Sequence, residues 1–592
     1  MIEDYDIVGS YNAQRYLPFD SERTINMFEY IDPDGKKPKA LFPTSGLINT
    51  NSNFSAQIGG FRAQFVFNDL MYMVIGDKLF ARNLSGATSI KGTLNTSAGY
   101  CGIDANTYQV IIVDGLNGYI YDTIAETFTE ITDTAFPTVP IDVCYLDGFF
   151  IVANGGTNAF QLSSFNQGLV WGGSPGNILS TIPYTGTATT DLLTVSSTDN
   201  FQTGIAVKVG VGLPPGTQAV PLVAGTTYFT IRISPTTLKL ATSYDNAIAG
   251  IPIDLTVDSI GNVTLTNSGQ VQQGAITSHP GTIVACRTLH RRLFLFSQFF
   301  IEGWENAGAG TNLPFRRNNA MLIEVGTPAI GSISVGFDRM FFLSQDRDGI
   351  SSVMQVDGIT ARPVSNRALD FQIAQYASDP IIGVKDARGI LIKENGLIFY
   401  RLNFTNADHT YVYNVSMSDE QTVRWHEEQT FRGNRHPAQT HAFFDGNNYY
   451  GNFAKAILYQ VDSNTYNNAG ENIPRIRIGK PIVPKTYQRI RIDRFQLDLV
   501  QGDLSQINDP NINQSFYPYP IVYLSQSKDG GQTYGYEIPG PMGAVGQRTF
   551  RTLWRKLGAT PRGQAWVPQI KFFNNSLFVV LGASIAYEVL PE

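Results

Sequence analysis

Charge is scarce in this chain of 592 residues: Asp, Glu, Lys and Arg together make up 16%, against about a quarter in ordinary soluble domains. Scarce charge with 43% hydrophobic and 12% aromatic residues excludes a disordered chain. It fits instead an all-β protein whose outer surfaces meet other subunits rather than water. Cations are the scarcer sign, 43 Lys and Arg against 50 Asp and Glu, for a net charge of -7. That argues against a protein that grips nucleic acid, because such grip comes from neutralising phosphates with Lys and Arg. A conduit that nucleic acid passes without sticking stays open. Cysteine is nearly missing too. Cys101, Cys144 and Cys286 are odd in number and far apart, which gives no disulfide framework and no metal motif, so they are expected to be buried small residues.

Sustained helical periodicity is almost absent, and 367–377 is the best short helix candidate. No apolar run is long: the longest, 577–590, is too short and too glycine-interrupted to span a membrane. The opening Met1-Ile2-Glu3-Asp4-Tyr5-Asp6 is acidic and lacks the apolar core of a secretory signal, so synthesis and folding in a cytoplasm are expected. Catalytic constellations are missing as well. His426-Glu427-Glu428 lacks the second His of a metal helix, and the other histidines have no carboxylate or Cys at ligand spacing. No nucleophile elbow is present. The expectation is no catalytic residue, no metal and no cofactor.

What the chain does have is a recurring unit. Residues 141–164 read IDVCYLDGFFIVANGGTNAFQLSS: an alternating strand, a turn at Asp147-Gly148, an apolar strand, a turn at Asn154-Gly155-Gly156 and a third strand. Asp-Gly and Asn-Gly supply the positive φ of two-residue hairpins. The outline recurs loosely at 61–84, 103–122, 283–304, 330–358, 382–404 and 438–461. Each is a meander of propeller-blade length, and one such unit cannot bury both faces of its own sheet. A run of hairpins forming sandwiches is the competing reading, and the number of copies at similar spacing favours a β-propeller of six or seven blades.

Taken in order, residues 1–50 form an N-terminal arm with one short strand near 25–30, and a Lys36-Lys37-Pro38-Lys39 turn read as solvated. Residues 51–174 hold the first part of the propeller. Residues 175–269 are rich in Thr, Ser, Val and Gly, lack the blade outline and read as a small inserted β domain, placed where a surface loop tolerates it. Residues 270–474 resume the propeller, and 475–592 read as a C-terminal β-sandwich-like domain. Within the last, Ser527, Asp529, Gly531 and Thr533 have the spacing of an Asp box, which is a hairpin device and not chemistry. The stretch RIRIGKPIVPKTYQRIRIDR at 475–494 is the most basic of the chain, and its alternation puts arginines on one strand face and isoleucines on the other. Arg475, Arg477, Arg489, Arg491 and Arg494 are therefore candidate contacts for an acidic neighbour or a phosphate backbone; an exposed solvated face is the alternative.

Three stretches carry a family resemblance. Arg23-Thr24-Ile25-Asn26-Met27-Phe28 and Leu41-Phe42-Pro43-Thr44-Ser45-Gly46-Leu47 resemble the start of the packaged-DNA stabilisation proteins, or tail hubs, of short-tailed bacteriophages, with Ser45 where that family usually has Pro. The strand-turn at 524–530, then Leu553-Trp554-Arg555-Lys556-Leu557-Gly558, then 569–589, are similar in order and spacing to its end. Trp554 and Arg555 join the candidate partner contacts on this ground. The insertion, with its core at 221–257, resembles a small β module found in many phage tail proteins.

The resemblance implies a structural virion protein: a homohexameric tail hub or nozzle below the portal–adaptor complex. It would neighbour tail fibre, spike or needle proteins, close the DNA channel, stabilise packaged DNA and pass it during ejection without sequence-specific binding. A six-copy ring of this acidic chain would repel DNA from its wall. Two other readings remain at this point: a glycan-binding tail adhesin, and a sialidase-like hydrolase, for which a single Asp box and no identifiable Tyr-Glu pair is thin support.

Overall fold

The computed structural model describes residues 2–590 except 17–19, 33–37, 53, 55–56, 134, 172–179, 199–200, 202, 204, 213–214, 244–245, 248, 268–272, 308–312, 350, 485–487, 501–519, 545–546 and 548–549. The expected solvated turn at Lys36-Lys37 lies outside the described residues.

Each of the seven repeats folds into a four-stranded antiparallel blade. The innermost strands are Phe61–Phe67, Gly102–Ala105, Pro140–Leu146, Ile283–Leu289, Ser334–Gly336, Arg388–Glu394 and Ala438–Phe444. Each packs against the next, and the last packs against the first, so the ring closes with seven blades. The cores lie between blades, where one sheet covers the next. Ala63, Tyr72, Val74 and Leu79 of blade one meet Val110, Ile112, Tyr119 and Tyr121 of blade two, for example. In six blades the first hairpin turns on two residues that both have positive φ: Asn68-Asp69, Asp147-Gly148, His290-Arg291, Phe337-Asp338, Asn395-Gly396 and Asp445-Gly446. That geometry matches the right-handed twist of the strands it joins. The three expected free cysteines are buried.

The seventh blade is completed from the far end of the chain. Its third strand, Leu458–Asp462, pairs with Gly46–Asn49, which supplies the fourth. The N-terminal stretch is thus not an arm with one strand. Its strands are Ile2–Tyr5, Asn12–Ala13, Ser21–Ile25, Met27–Ile31, Lys39–Pro43 and Gly46–Asn49. Each is too short to carry a readable alternation; Met27–Ile31 and Lys39–Pro43 pair with each other, while Ile2–Tyr5, Ser21–Ile25 and Gly46–Asn49 pair with strands far along the chain. Ser21–Ile25 lies between Trp425–Glu427, the outer strand of blade six, and Arg475–Ile478. The blade-six sheet therefore runs on without a break through Val567–Phe572, Ile521–Ser527 and Ile538–Pro541. A second sheet, Met27–Ile31, Lys39–Pro43, Val579–Leu590, Arg489–Val500 and Thr552–Ala559, covers it to make the sandwich. Between them lie Tyr5, Phe495, Trp554, Trp566, Phe572 and Phe578, with the Phe495 and Trp566 rings 5.6 Å apart, edge to face.

The insertion leaves and rejoins the propeller at one point. Both Gln167–Trp171 and Gln273–Ala275 pair with Ala159–Ser164, the third strand of blade three. Between them six strands close a small barrel around Tyr184, Val207, Val209, Leu238, Leu240 and Leu265. The expected helix is present as Arg367–Ser378, capped by the Asn366 side chain, which accepts the Leu369 N–H at 2.9 Å, and it buries Leu369, Ile373 and Tyr376. The Asp-box turn also forms: Asp529 Oδ1 accepts the Thr533 N–H at 3.0 Å.

Candidate functional site

The basic stretch splits into two populations. In Arg475–Ile478 the arginines face inward, contrary to the expectation of a charged outer face. Arg475 and Arg477 have no exposed surface at all. Arg477 Nε donates to the Ile7 carbonyl at 2.6 Å, Nη1 to Thr24 Oγ1 at 3.0 Å, and Nη2 to Glu22. A Cβ on Gly9 would lie 2.7 Å from Arg477 Nη2, so a glycine there lets the guanidinium tuck under the N-terminal segment. Arg475 lies over the Tyr466 ring at 5.4 Å, and burial pushes its guanidinium down to about 10. The reason for the inversion is the N-terminal segment, whose strand and carbonyls cover this face. Neither residue is placed to meet a partner.

Trp554 is likewise a core residue, 4% exposed, with Nε1 donating to the Ile538 carbonyl at 3.1 Å. The remaining candidates do face outward, on the sandwich sheet. Arg489, Arg491 and Arg555 are exposed and Arg494 is half-buried. Arg491 is held by Asp493 at 2.9 Å and Glu588 at 2.5 Å. Arg489 donates to the Thr560 carbonyl at 3.1 Å. Arg494 sits directly opposite Arg555 on the neighbouring strand, and neither has an ion pair among the described residues. Like charges facing each other across strands are destabilising unless an anion joins them.

A second polar site lies at the joint where the N-terminal segment meets blades six and seven. Here Arg401 grips Glu428 through Nε at 2.8 Å and Nη2 at 3.0 Å, with His426 and His436 beside them. Burial alone would raise the Glu428 carboxyl, but Arg401, His426 and His436 together outweigh it and hold the group well below its usual range. Burial pushes His436 down to about 3, so it stays neutral at pH 7. Glu427, the preceding residue, points to the other face and pairs with Arg23 at 2.9 Å. The His-Glu-Glu triplet therefore serves two different ion pairs, and no cluster of three metal-ligating side chains occurs among the described residues.

Glu394 completes this site. It accepts a hydrogen bond from Ser45, and burial pushes its carboxyl up to about 7. The folded protein thus keeps a proton that the unfolded chain releases nearer 4.5, and stability contributed by this group is lost as pH rises from 4.5 through 7. Glu394→Gln cannot ionise. Its melting temperature relative to wild type is expected to climb by several degrees between pH 4.5 and 7.5; a difference that stays flat over that range would show that Glu394 does not titrate there.

The third site is the central channel of the propeller, a cavity of about 440 Å³ to which all seven blades contribute. Arg62, Arg287 and Arg388 line it with Tyr100, Asp104, Cys101 and Cys144. Arg62 spends four of its five N–H groups on the Gly76, Thr96 and Gly99 carbonyls and Thr96 Oγ1. Asp142, wholly buried behind the channel wall, pairs with Arg287 and accepts the Cys286 N–H at 3.0 Å. Sequence reading missed this group, because its members come from the innermost strands of five blades or from the loops entering them. Only their shared place in the repeat could have linked them.

A family model described as Bacteriophage P22 Gp10, beta-propeller, matches residues 7–167 and 255–466. A second, described as Bacteriophage P22 Gp10, beta-sandwich, matches residues 475–588. The gap between the two parts of the first match, 168–254, takes in five of the six barrel strands; the sixth, Val263–Asn267, falls inside the match. No curated protein matches the chain. Among solved structures, the computationally designed Ika8 protein is 8% identical over 71% of this chain and all of its own, with a TM-score of 0.33. The Neurospora crassa Pan2 WD40 domain is 7% identical over 71% of this chain and 95% of its own, at 0.32. Likenesses this weak add nothing to the family match.

Proposed function

This chain belongs to the Bacteriophage P22 Gp10 family over both its propeller and its sandwich, and from that premise we propose that it is a ring-forming hub of a phage tail, which closes the DNA channel, stabilises the packaged genome and conducts it on ejection. The observation that carries the reading is the match of both family models, in order, along the chain. The family makes it a phage structural protein of the virion and supports a role without bond chemistry. Its build is consistent with a load-bearing part. One continuous sheet ties blade six to the sandwich, so force on one body passes to the other through backbone hydrogen bonds.

In this reading six copies assemble on a portal–adaptor complex, with tail fibre, spike or needle proteins as further neighbours and DNA passing through the lumen unread. The exposed face carrying Arg489, Arg494 and Arg555 is the surface we assign to an acidic partner, which would relieve the Arg494–Arg555 opposition. The test is the particle mass of the purified protein alone and with the portal–adaptor complex. A monomer that becomes a ring of about six copies only on the complex is the expected result. With Arg494→Glu and Arg555→Glu together, binding should fall at least tenfold while the melting temperature holds. A monomer that ignores the complex would overturn the hub reading in favour of glycan binding, to be followed on a glycan array.

A further inference from the structure

The channel holds a cation with no ion-pair partner among the described residues. Arg388, at the start of the innermost strand of blade six, lies with its guanidinium carbon 4.7 Å from the Tyr100 ring centroid. No carboxylate among the described residues forms an ion pair with it, and no hydrogen bond to it occurs among them. On the other side of the same tyrosine, Arg287 Nη2 donates to the Tyr100 hydroxyl at 2.7 Å, and Nη1 donates to the Cys286 carbonyl at 2.7 Å and to Asp142. Of the five N–H groups of a guanidinium, two on Arg287 stay uncommitted. The two cations therefore flank one ring, one on its face and one at its hydroxyl, and both line the same cavity.

Among the described residues the nearby carboxylates are engaged elsewhere: Asp386 attracts Arg388 without forming an ion pair with it, and its Oδ2 accepts the Asn406 N–H at 2.6 Å. Asp142 is spent on Arg287, and Asp104 accepts the amide N–H groups of Ala105 at 2.8 Å and Tyr145 at 2.7 Å. His441 is engaged with Asn448 at 2.9 Å, and burial pushes it down to about 4, so it is neutral. Gly331 lets the Arg388 stem pack closely against the backbone, since a Cβ there would come 2.5 Å from the arginine Cδ. A half-buried cation with free donors is costly unless an anion meets it, and a planar guanidinium meets oxyanions with two parallel hydrogen bonds.

We propose that the propeller channel binds a small oxyanion, an inorganic phosphate or a phosphomonoester, held between Arg388 and the free donors of Arg287 across Tyr100. The cavity has room for a phosphate carrying a small organic group as well as for the bare ion. Such a ligand would brace blades two, four and six against one another, since Tyr100, Arg287 and Arg388 come from those three or from the loops entering them.

The test uses the full chain in thermal melts, with inorganic phosphate added at constant ionic strength against chloride. The expected result is a saturable rise in Tm, by ~5 °C at phosphate a hundredfold above its dissociation constant. Arg388→Gln should abolish the rise, while Arg388→Lys, which keeps the charge but not the fork, should shift the midpoint about tenfold towards weaker binding. A mononucleotide should act like phosphate if the natural ligand is a phosphomonoester, and fail if only the bare ion fits. An equal rise in wild type and Arg388→Gln would mean a general salt effect and overturn the proposal, as would no rise with either ligand. If Arg388→Gln does not fold, the midpoint shift of Arg388→Lys decides alone.

Discussion

Arg477→Met is expected to cost ~3–5 kcal/mol of unfolding free energy at pH 7, the loss typical of removing one member of a buried ion pair. Methionine keeps most of the volume, so the loss reads the polar contacts. These are the Ile7 carbonyl, Thr24 Oγ1 and Glu22, all of which would be left without their donor. Glu22 makes the sign of the pH dependence checkable. Its carboxyl is raised by burial, which outweighs the pull of Arg477. Without Arg477 it should protonate still more readily, so the defect should shrink as pH falls towards 5. A double variant, Glu22→Gln with Arg477→Met, should recover part of the loss, with a coupling energy of about 1 kcal/mol or more. Urea unfolding measures all of this. A loss below about 1 kcal/mol in Arg477→Met would mean that the guanidinium is not the clamp on the N-terminal segment. Loss of partner binding with unchanged stability would return Arg477 to the surface role its sequence context suggested.

Asn26→Ala should have the second large effect, ~3 kcal/mol, and of a different kind. Asn26 is 2% exposed and has φ of 54°, where alanine is strained. Its side-chain amide donates to the Pro474 carbonyl at 2.7 Å and the Gln429 carbonyl at 2.9 Å, and its Oδ1 accepts the Gln429 N–H at 2.9 Å. Here the chain leaves one sandwich sheet for the other while fastened to blade six and to the segment entering the sandwich. Losing it should loosen the coupling between the two bodies. Calorimetry is expected to show one transition in wild type and two in Asn26→Ala, the sandwich melting first. A single transition shifted as a whole would show that the shared sheet couples the bodies without this residue.

Much of this architecture could be read from turns. Asp147-Gly148, Asn395-Gly396 and Asp445-Gly446 announce two-residue hairpins to any reader of sequence. His290-Arg291 and Phe337-Asp338 adopt the same backbone without glycine; there the paired strands impose a conformation the residues do not prefer, so the blades were found from their strands instead. The alternation in Arg-Ile-Arg-Ile was legible, but not which side was inside. Arg477 is buried because a segment more than four hundred residues earlier covers it, and Arg475 lies over Tyr466; periodicity carries no word of either. In Leu553-Trp554-Arg555 the same period of two would have put Trp554 inward once Arg555 was taken as outward. The channel site needed the ring itself, because Tyr100, Arg287 and Arg388 share nothing in sequence but their place near the start of a blade.

The strand that closes the seventh blade is made early and used late. Thr50 Oγ1 bonds the Leu458 carbonyl across 408 residues of chain. At roughly 5–20 residues per second, a ribosome needs on the order of 20–80 s to bring that partner out after Gly46–Asn49 has emerged. For all that time Gly46–Asn49 waits without its mate, with an open edge that invites wrong pairing. A message broken before the seventh repeat yields blades that cannot shut. Closure thus works as a check on length: only a polypeptide translated through its last blade becomes a ring, and prematurely terminated copies stay open and available to proteases before they can enter an assembly.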